Sequence, residues 1–125
     1  MRRLFYLLFI STFAAIYSKK IPSQFEATCY KGCQCNSTQV SCNNLNEKTA
    51  DLFHKYIPKI YSKLATLIVT GNSFGALPDE NLFGDNNRHE ELSLVNLTNN
   101  EITYFGIQTF IGMPRVEFFF LSNNK

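Results

Sequence analysis

The sequence predicts an α/β solenoid in which about three repeats with short parallel strands, incomplete at the C-terminus, follow an N-terminal disulfide cap. Three observations predict this fold class. A pattern of apolar residues ending in asparagine returns three times between residues 64 and 125, four cysteines fall within one short segment, and the first 18 residues have the layout of a secretory leader. Repeats that stack on one another bury a core that no single repeat could bury alone.

Residues 1–18 are predicted to be a signal peptide. Arg2 and Arg3 form the charged start, an apolar run occupies residues 4–17, and Ser18 precedes a plausible cleavage point. The run is shorter than the roughly 20 apolar residues of an ordinary transmembrane helix. An uncleaved anchor is the alternative. We expect no further transmembrane segment, a flexible lead-in at residues 19–28, and a secreted protein, or a cell-surface one if the chain belongs to a longer receptor.

The charge of the chain argues against a nucleic-acid partner. The chain has 12 Lys+Arg and 10 Asp+Glu. Two of the arginines belong to the leader, so its removal leaves equal numbers of the two signs. A chain without an excess of positive charge lacks the electrostatic basis for binding a phosphate backbone.

The cysteines predict a compact disulfide cap. They have the spacing C-x3-C-x-C-x6-C, and an even number of clustered cysteines in a secreted chain indicates two disulfides. The spacing alone leaves three pairings open. A zinc site of four thiolates is the competing interpretation, but the paired C-x2-C of common zinc modules is absent from the spacing. The cysteines are Cys29, Cys33, Cys35 and Cys42.

The cap and its link to the repeats are assigned to residues 29–63. Apolar residues in the link recur at a spacing that predicts a helix from about Asn46, as the N-cap, to Tyr56. Pro58 is expected to end this helix. Val40 is a candidate for a first short strand beside the one at residues 67–69.

Residues 64–125 are assigned to leucine-rich repeats with the pattern L-x-x-L-x-L-x-x-N. The recurring Leu-x-Leu spacing predicts strands near residues 67–69, 95–97 and 119–121, because every second side chain of a strand points to the same face. The asparagines are 28 and 24 residues apart, a spacing typical of such repeats. Each amide is expected to bond to open backbone groups of its own turn and of the next repeat, as a ladder. The copies are Leu64, Leu67, Val69 and Asn72; Leu92, Val95, Leu97 and Asn100; and Val116, Phe119, Leu121 and Asn124.

The segments between the strands should fill the space behind the sheet. Phe74, Leu77 and Phe83 follow the first asparagine, and aromatic and apolar residues again follow the second. Residues 84–91 form a polar insertion that accounts for the wider first spacing. We expect this insertion to be a solvated loop on the outer side or the rim.

The cysteine spacing, with Val40 two residues before Cys42, resembles the N-terminal cap of extracellular leucine-rich-repeat proteins. That family includes small matrix proteoglycans, neuronal guidance proteins and their receptors. The resemblance covers residues 29–125, although Tyr30 stands where the family's cap usually has proline. It implies disulfides between the first and third cysteines and between the second and fourth.

The resemblance also implies where a partner would bind. The family holds proteins on the concave face of the sheet, whose side chains are those between the buried leucines. The apolar residues among them indicate a contact site, or a surface that another part of the chain covers. The predicted face consists of Thr66, Ile68, Thr70, Leu94, Asn96, Thr98, Phe118, Phe120 and Ser122.

Two N-glycosylation sequons are present, Asn36-Ser37-Thr38 and Asn96-Leu97-Thr98. Both asparagines are candidate sites. We expect Asn36 to be occupied in preference to Asn96, because a glycan on Asn96 would stand in the centre of the predicted face.

Catalysis has little support in the sequence. His54 and His89 are the only histidines, and neither belongs to a recognisable nucleophile motif. Asp79, Glu80 and Asp85 do not have the spacing of a calcium loop. We therefore predict no catalytic residues, no bound metal and no cofactor.

The sequence favours a non-catalytic binding module for a protein or matrix partner. The alternatives are an extracellular matrix scaffold, or the N-terminal fragment of a larger receptor or extracellular enzyme. The phenylalanine-rich strand at residues 116–121 would be an open sheet edge, so self-association through it is also possible.

Overall fold

The structure, a computed structural model, describes residues 29–57 and 62–125. It contains a five-stranded sheet in which sequence order and spatial order coincide. β1 and β2 form an antiparallel hairpin, and β2 to β5 are parallel. The predicted leader, the lead-in and Pro58 lie outside the described residues. The elements are β1 (Cys33–Cys35), β2 (Gln39–Asn43), α1 (Asp51–Tyr56), β3 (Thr66–Thr70), β4 (Leu94–Asn96) and β5 (Phe118–Phe120).

The parallel sheet predicted from apolar alternation is confirmed. Each of the last three strands overlaps a predicted strand: β3 is one residue longer at both ends, and β4 and β5 each begin and end one residue earlier than predicted. Leu67 pairs in register with Val40 on one side and with Val95 on the other, and all three are buried. A side chain in every second position therefore faces the core.

Two disulfides fasten the hairpin. Cys29 bonds to Cys35 and Cys33 bonds to Cys42, which is the pairing that the resemblance implied. The antiparallel register places Cys33 directly opposite Cys42, so the second bond crosses the β1–β2 pair. Cys42 is buried beside Val69 of β3 and joins the cap to the main core.

The outer side of the sheet is covered by turns and extended segments. The described residues contain one α-helix of six residues, so the helical share of the predicted α/β class was overestimated. The reason lies in the backbone hydrogen bonds. The amides of Phe74, Leu77 and Leu82 donate to the carbonyls of Asn100, Tyr104 and Thr109, at 2.9–3.0 Å. The backbone N–H and C=O groups of one connecting segment thus bond to those of the next segment, as they do between neighbouring strands. These groups therefore need no hydrogen bonds within a helix.

The predicted start of the helix at Asn46 is wrong. Helix α1 begins at Asp51, follows Ala50, and has no side-chain cap. Asn46 has a φ of 57°, which excludes it from the N-cap conformation. The neighbouring backbone is engaged elsewhere, because the amide of Glu47 donates to Asn72 Oδ1 at 3.2 Å and its carbonyl accepts from Ser73.

One continuous core lies between the sheet and these outer segments. Phe53 of α1 reaches into it, with its ring 5.5 Å from that of Phe74 and 6.5 Å from that of Phe83. The buried apolar residues are Val40, Cys42, Leu52, Phe53, Ile57, Leu64, Leu67, Val69, Phe74, Leu77, Leu82, Phe83, Leu92, Val95, Leu97, Ile102 and Met113.

The polar insertion is only partly a solvated loop. Asp85, Asn86, Arg88, Glu90 and Glu91 are exposed, as expected. His89 is buried, however: its ring packs edge-on against Phe83 at 4.5 Å, and its Nε2 lies 3.3 Å from the carbonyl of Ile57. The imidazole therefore fixes the insertion to the core, where a solvated loop was expected.

Candidate binding face

The sheet has one face toward the core and one toward solvent. On β3 the buried residues Leu67 and Val69 alternate with the half-buried residues Thr66, Ile68 and Thr70. The same alternation continues on β4 and β5, and the solvent-facing residues of β5 are the most exposed. Alternation thus brings the residues of the predicted face together on the solvent side.

The strand register arranges these side chains in rows across the sheet. One row runs from Thr66 through Leu94 to Phe118, and the next runs from Ile68 through Asn96 to Phe120. Thr70, Thr98 and Ser122 follow in the same alternation at the strands' carboxyl ends. Phe118 and Phe120 are 56% and 45% exposed, which is high for phenylalanine. The apolar character of the face therefore increases toward β5.

Strand β2 contributes a further part of this face, which was not predicted from the sequence. Gln39, Ser41 and Asn43 extend the rows beyond β3, and Asn43 Oδ1 accepts a hydrogen bond from Thr70 Oγ1 at 2.6 Å. Asn43 Nδ2 in turn donates to Ser41 Oγ at 2.9 Å. The alternation of Val40 and Cys42 was a signal that could have identified these positions. The face is therefore polar at its β2 end, apolar at its β5 end, and without charged residues throughout.

Asn72, Asn100 and Asn124 lie side by side where the parallel strands end. Asn100 Oδ1 accepts from the backbone amide of Asn72 at 3.1 Å, and Asn124 Oδ1 accepts from that of Asn100 at 3.0 Å. Asn100 Nδ2 donates to the carbonyl of Val69 at 2.6 Å, and Asn124 Nδ2 donates to that of Leu97 at 2.9 Å. The side chains of Asn100 and Asn124 therefore bond to the backbone of the preceding strand and of the turn after it, whereas bonds to the following unit were expected.

A second row of residues accompanies these asparagines and was not predicted. Asn44, Gly71, Asn99 and Asn123 each have a positive φ, between 55° and 73°. Each comes two residues after a core-facing residue in a strand or directly after it, namely Cys42, Val69, Leu97 or Leu121. The left-handed conformation turns the chain out of the sheet, and glycine and asparagine adopt it most readily. The doublets Gly71-Asn72, Asn99-Asn100 and Asn123-Asn124 were the signal in the sequence.

The two sequons lie in different surroundings. Asn36 is exposed in the turn between β1 and β2, at the end of the hairpin. Asn96 is half-buried in β4, where Ile68 and Phe120 are its register partners. Its Oδ1 accepts a hydrogen bond from the amide of Thr98 at 3.0 Å.

The histidines and carboxylates are dispersed. His54 lies on the exposed side of α1 with its Nε2 3.6 Å from Asp51 Oδ1, while His89 is in the core. Asp79 Oδ1 accepts from the amide of Gln108 at 2.9 Å and packs against Gly106, so this carboxylate has a structural partner. Within residues 29–57 and 62–125, no group of three or more histidine, cysteine or acidic side chains is arranged to hold a metal ion.

An open cleft of about 610 Å³ lies between α1 and the segment after β3. Lys48, Asp51, His54, Glu80 and Asp85 are among the residues that line it, so groups of both charge signs surround the opening. Its mixed lining contrasts with the uncharged sheet face, which presents adjacent apolar side chains.

Comparison with known protein families, with curated proteins and with solved structures gave no match. In the part of the chain that the structure describes, no helix is both long enough and apolar enough to cross a membrane. The disulfides are compatible with an extracellular or secreted protein, since such bonds form and persist in oxidising compartments.

Proposed function

We propose that this protein is a secreted or cell-surface leucine-rich-repeat module that binds a protein partner and performs no chemistry. The observation that carries the proposal is the uncharged, partly apolar face of the sheet, on which Phe118 and Phe120 are about half exposed. Aromatic side chains held on a rigid strand supply contact area at little conformational cost, and they are enriched in protein interfaces.

The assignment to leucine-rich repeats is supported by a relation between sequence and hydrogen bonding. The recurring asparagines occupy equivalent positions after three parallel strands, and their amides join successive turns. Backbone bonds between successive outer segments accompany them, including an isolated parallel bridge between Ala76 and Tyr104. A stack in which each unit bonds mainly to its neighbours is what repeat architecture requires.

The proposal of an extracellular location is supported by the cap. All four cysteines are consumed in disulfides, and in the described residues none is free. Both bonds close within the first 14 positions of the described chain, where they fasten β1 to β2 and to the residue Cys29 before the hairpin. A cytosolic chain would be expected to keep clustered thiols reduced.

The test is a binding screen of the secreted chain against extracellular proteins, followed by variants of the face. We expect Phe118→Ser combined with Phe120→Ser to weaken binding at least about tenfold, because truncation of a buried aromatic anchor commonly costs about 2 kcal/mol or more. Ile107→Ser combined with Ile111→Ser is the matched control. These isoleucines are 92% and 51% exposed but lie outside the face.

Equal loss of affinity in the two double variants would contradict the assignment of the face, provided that all three proteins melt at similar temperatures. Recovery of the chain with collagenous matrix, and with no single protein, would favour the scaffold function instead.

A further inference from the structure

We propose that Asn36 carries an N-linked glycan in the mature protein. This inference rests on the secretory route of the proposed function, because the modifying enzymes act in that pathway. Four observations lead to it: the sequon itself, the geometry of its turn, the position of that turn relative to the binding face, and the contrast with Asn96.

The turn holds the sequon in a defined conformation. The backbone amide of Asn36 donates to the carbonyl of Gln39 at 2.9 Å, which closes a four-residue turn. Asn36 Oδ1 accepts from the amides of Thr38 and Gln39, both at 2.9 Å. It also accepts from Thr38 Oγ1 at 3.2 Å. Three donors thus gather on the oxygen side of the planar amide, and Nδ2, the atom that would be modified, lies on the other side.

The turn is firmly held but its side chains are accessible. The carbonyl of Thr38 accepts from the amides of Ala65 at 2.8 Å and Thr66 at 3.0 Å, so the turn's backbone is fastened to the start of β3. Asn36, Ser37 and Thr38 are nevertheless all exposed. A glycan at Asn36 therefore has room without any change in the packing of the cap.

A glycan on Asn36 would leave the binding face open. The turn links β1 to β2 at one edge of the sheet, whereas Phe118 and Phe120 belong to β5, which is three strands away from β2. Asn96, in contrast, lies in β4 between Ile68 and Phe120, and a glycan there would cover the apolar part of the face. Asn36 is thus the sequon that can carry a sugar and leave the proposed binding face uncovered.

The chemistry is a transfer without oxidation or reduction. Asn36 Nδ2 forms a bond to C1 of the first sugar of an oligosaccharide carried on a polyprenyl pyrophosphate lipid. The bond between C1 and the pyrophosphate oxygen breaks, the lipid pyrophosphate leaves with the electron pair, and Nδ2 loses one proton.

The test is peptide mass spectrometry of the full chain, expressed with its own leader in eukaryotic cells and collected from the medium. We expect a glycan on most copies of the peptide that contains Asn36. Thr38→Ala should abolish it, because the hydroxyl of the sequon is lost, while Asn36 keeps its two backbone partners. Thr38→Ser should retain it. Thr98→Ala, which removes the other sequon, should leave the modification of Asn36 unchanged.

Glycan on both asparagines supports the assignment of Asn36. Secreted, disulfide-bonded protein with an unmodified Asn36, or with sugar on Asn96 alone, overturns the assignment and leaves the binding proposal standing. Protein that stays in the cytosol with free thiols overturns both the assignment and the extracellular function. Alkylation of free thiols before digestion distinguishes these last two results.

Discussion

Asparagine has two distinct backbone roles in this protein. Asn99 and Asn123 adopt a left-handed φ that turns the chain out of β4 and β5. The next residues, Asn100 and Asn124, contribute side-chain amides that bond to the carbonyls of Val69 and Leu97, at the end of the preceding strand. One residue type can serve both purposes because asparagine tolerates positive φ and has both a donor and an acceptor.

Asn100 is expected to be the most sensitive of the recurring asparagines. Asn100→Ala would leave the carbonyl of Val69 and the amide of Asn72 without their side-chain partner, in a place where Asn100 itself is fully buried. We expect a loss of about 2–6 kcal/mol in the free energy of unfolding, at about 1–3 kcal/mol for each of the two unsatisfied groups. Urea unfolding of the variant and of the unchanged protein measures this loss.

Asn124→Ala is the comparison for that experiment. Asn124 is half-buried, so water can replace part of its hydrogen bonding and the loss should be smaller. An equal or greater loss for Asn124 would show that burial does not determine the contribution of these amides.

Gly71 and Gly75 form a matched pair for separating backbone strain from steric contact. Their φ values are 73° and 65°, so alanine at either position meets about 1–2 kcal/mol of backbone strain. A Cβ at Gly71 would also collide with the side chain of Asn44, while one at Gly75 has nothing within 4 Å. Gly71→Ala should therefore lower the free energy of unfolding more than Gly75→Ala, by about 1 kcal/mol. Equal effects in thermal or urea unfolding would mean that Asn44 moves aside freely.

The strands could be placed from the sequence more accurately than the helix. The strands could be predicted because the buried residues Leu67, Val69, Val95 and Leu97 occupy every second position, and this spacing is a local signal. The helix could not be placed correctly. Its predicted start at Asn46 depended on a local capping preference. In the structure the backbone of Glu47 instead forms hydrogen bonds with residues some 25 positions further along the chain, and the helix begins later.

The disulfides are predicted to contribute unequally to the stability of the cap. The double variant Cys33→Ala, Cys42→Ala should lower the free energy of unfolding by about 2–4 kcal/mol. It removes a bond across the hairpin and also removes a buried sulfur atom from the core at Cys42. Replacing Cys29 and Cys35 together should cost less, since both are only half-buried.

Urea unfolding of the two oxidised double variants compares these losses. A greater loss on removing the Cys29–Cys35 bond would indicate that the residues before β1 matter more to the core than their burial suggests.

For the molecule as a whole, apolar packing should outweigh charge. The ion pairs found in the described residues, such as those of Asp51 with Lys55 and Arg88 with Glu90, lie at the surface. Exposed pairs contribute little, and salt screens them further. We expect the free energy of unfolding to change by less than about 1 kcal/mol between 50 and 500 mM sodium chloride.

Chemical denaturation in urea, which is uncharged, provides that measurement without adding salt. A larger destabilisation at high salt would show that charged groups spread over the surface act collectively. Under the proposed function, binding of a partner to the uncharged face should respond as weakly, because electrostatic steering requires charged groups near the contact.

The strands, their inward-facing residues and the recurring asparagines could be predicted from the sequence, because each depends on residues close together in the chain. Other features depend on distant neighbours and became visible only in the folded protein. Successive outer segments bond to each other and so need no helices, His89 is buried against Phe83, and β2 contributes Gln39, Ser41 and Asn43 to the face. A local pattern cannot specify these features, because it does not contain the neighbour that satisfies each backbone group or covers each side chain.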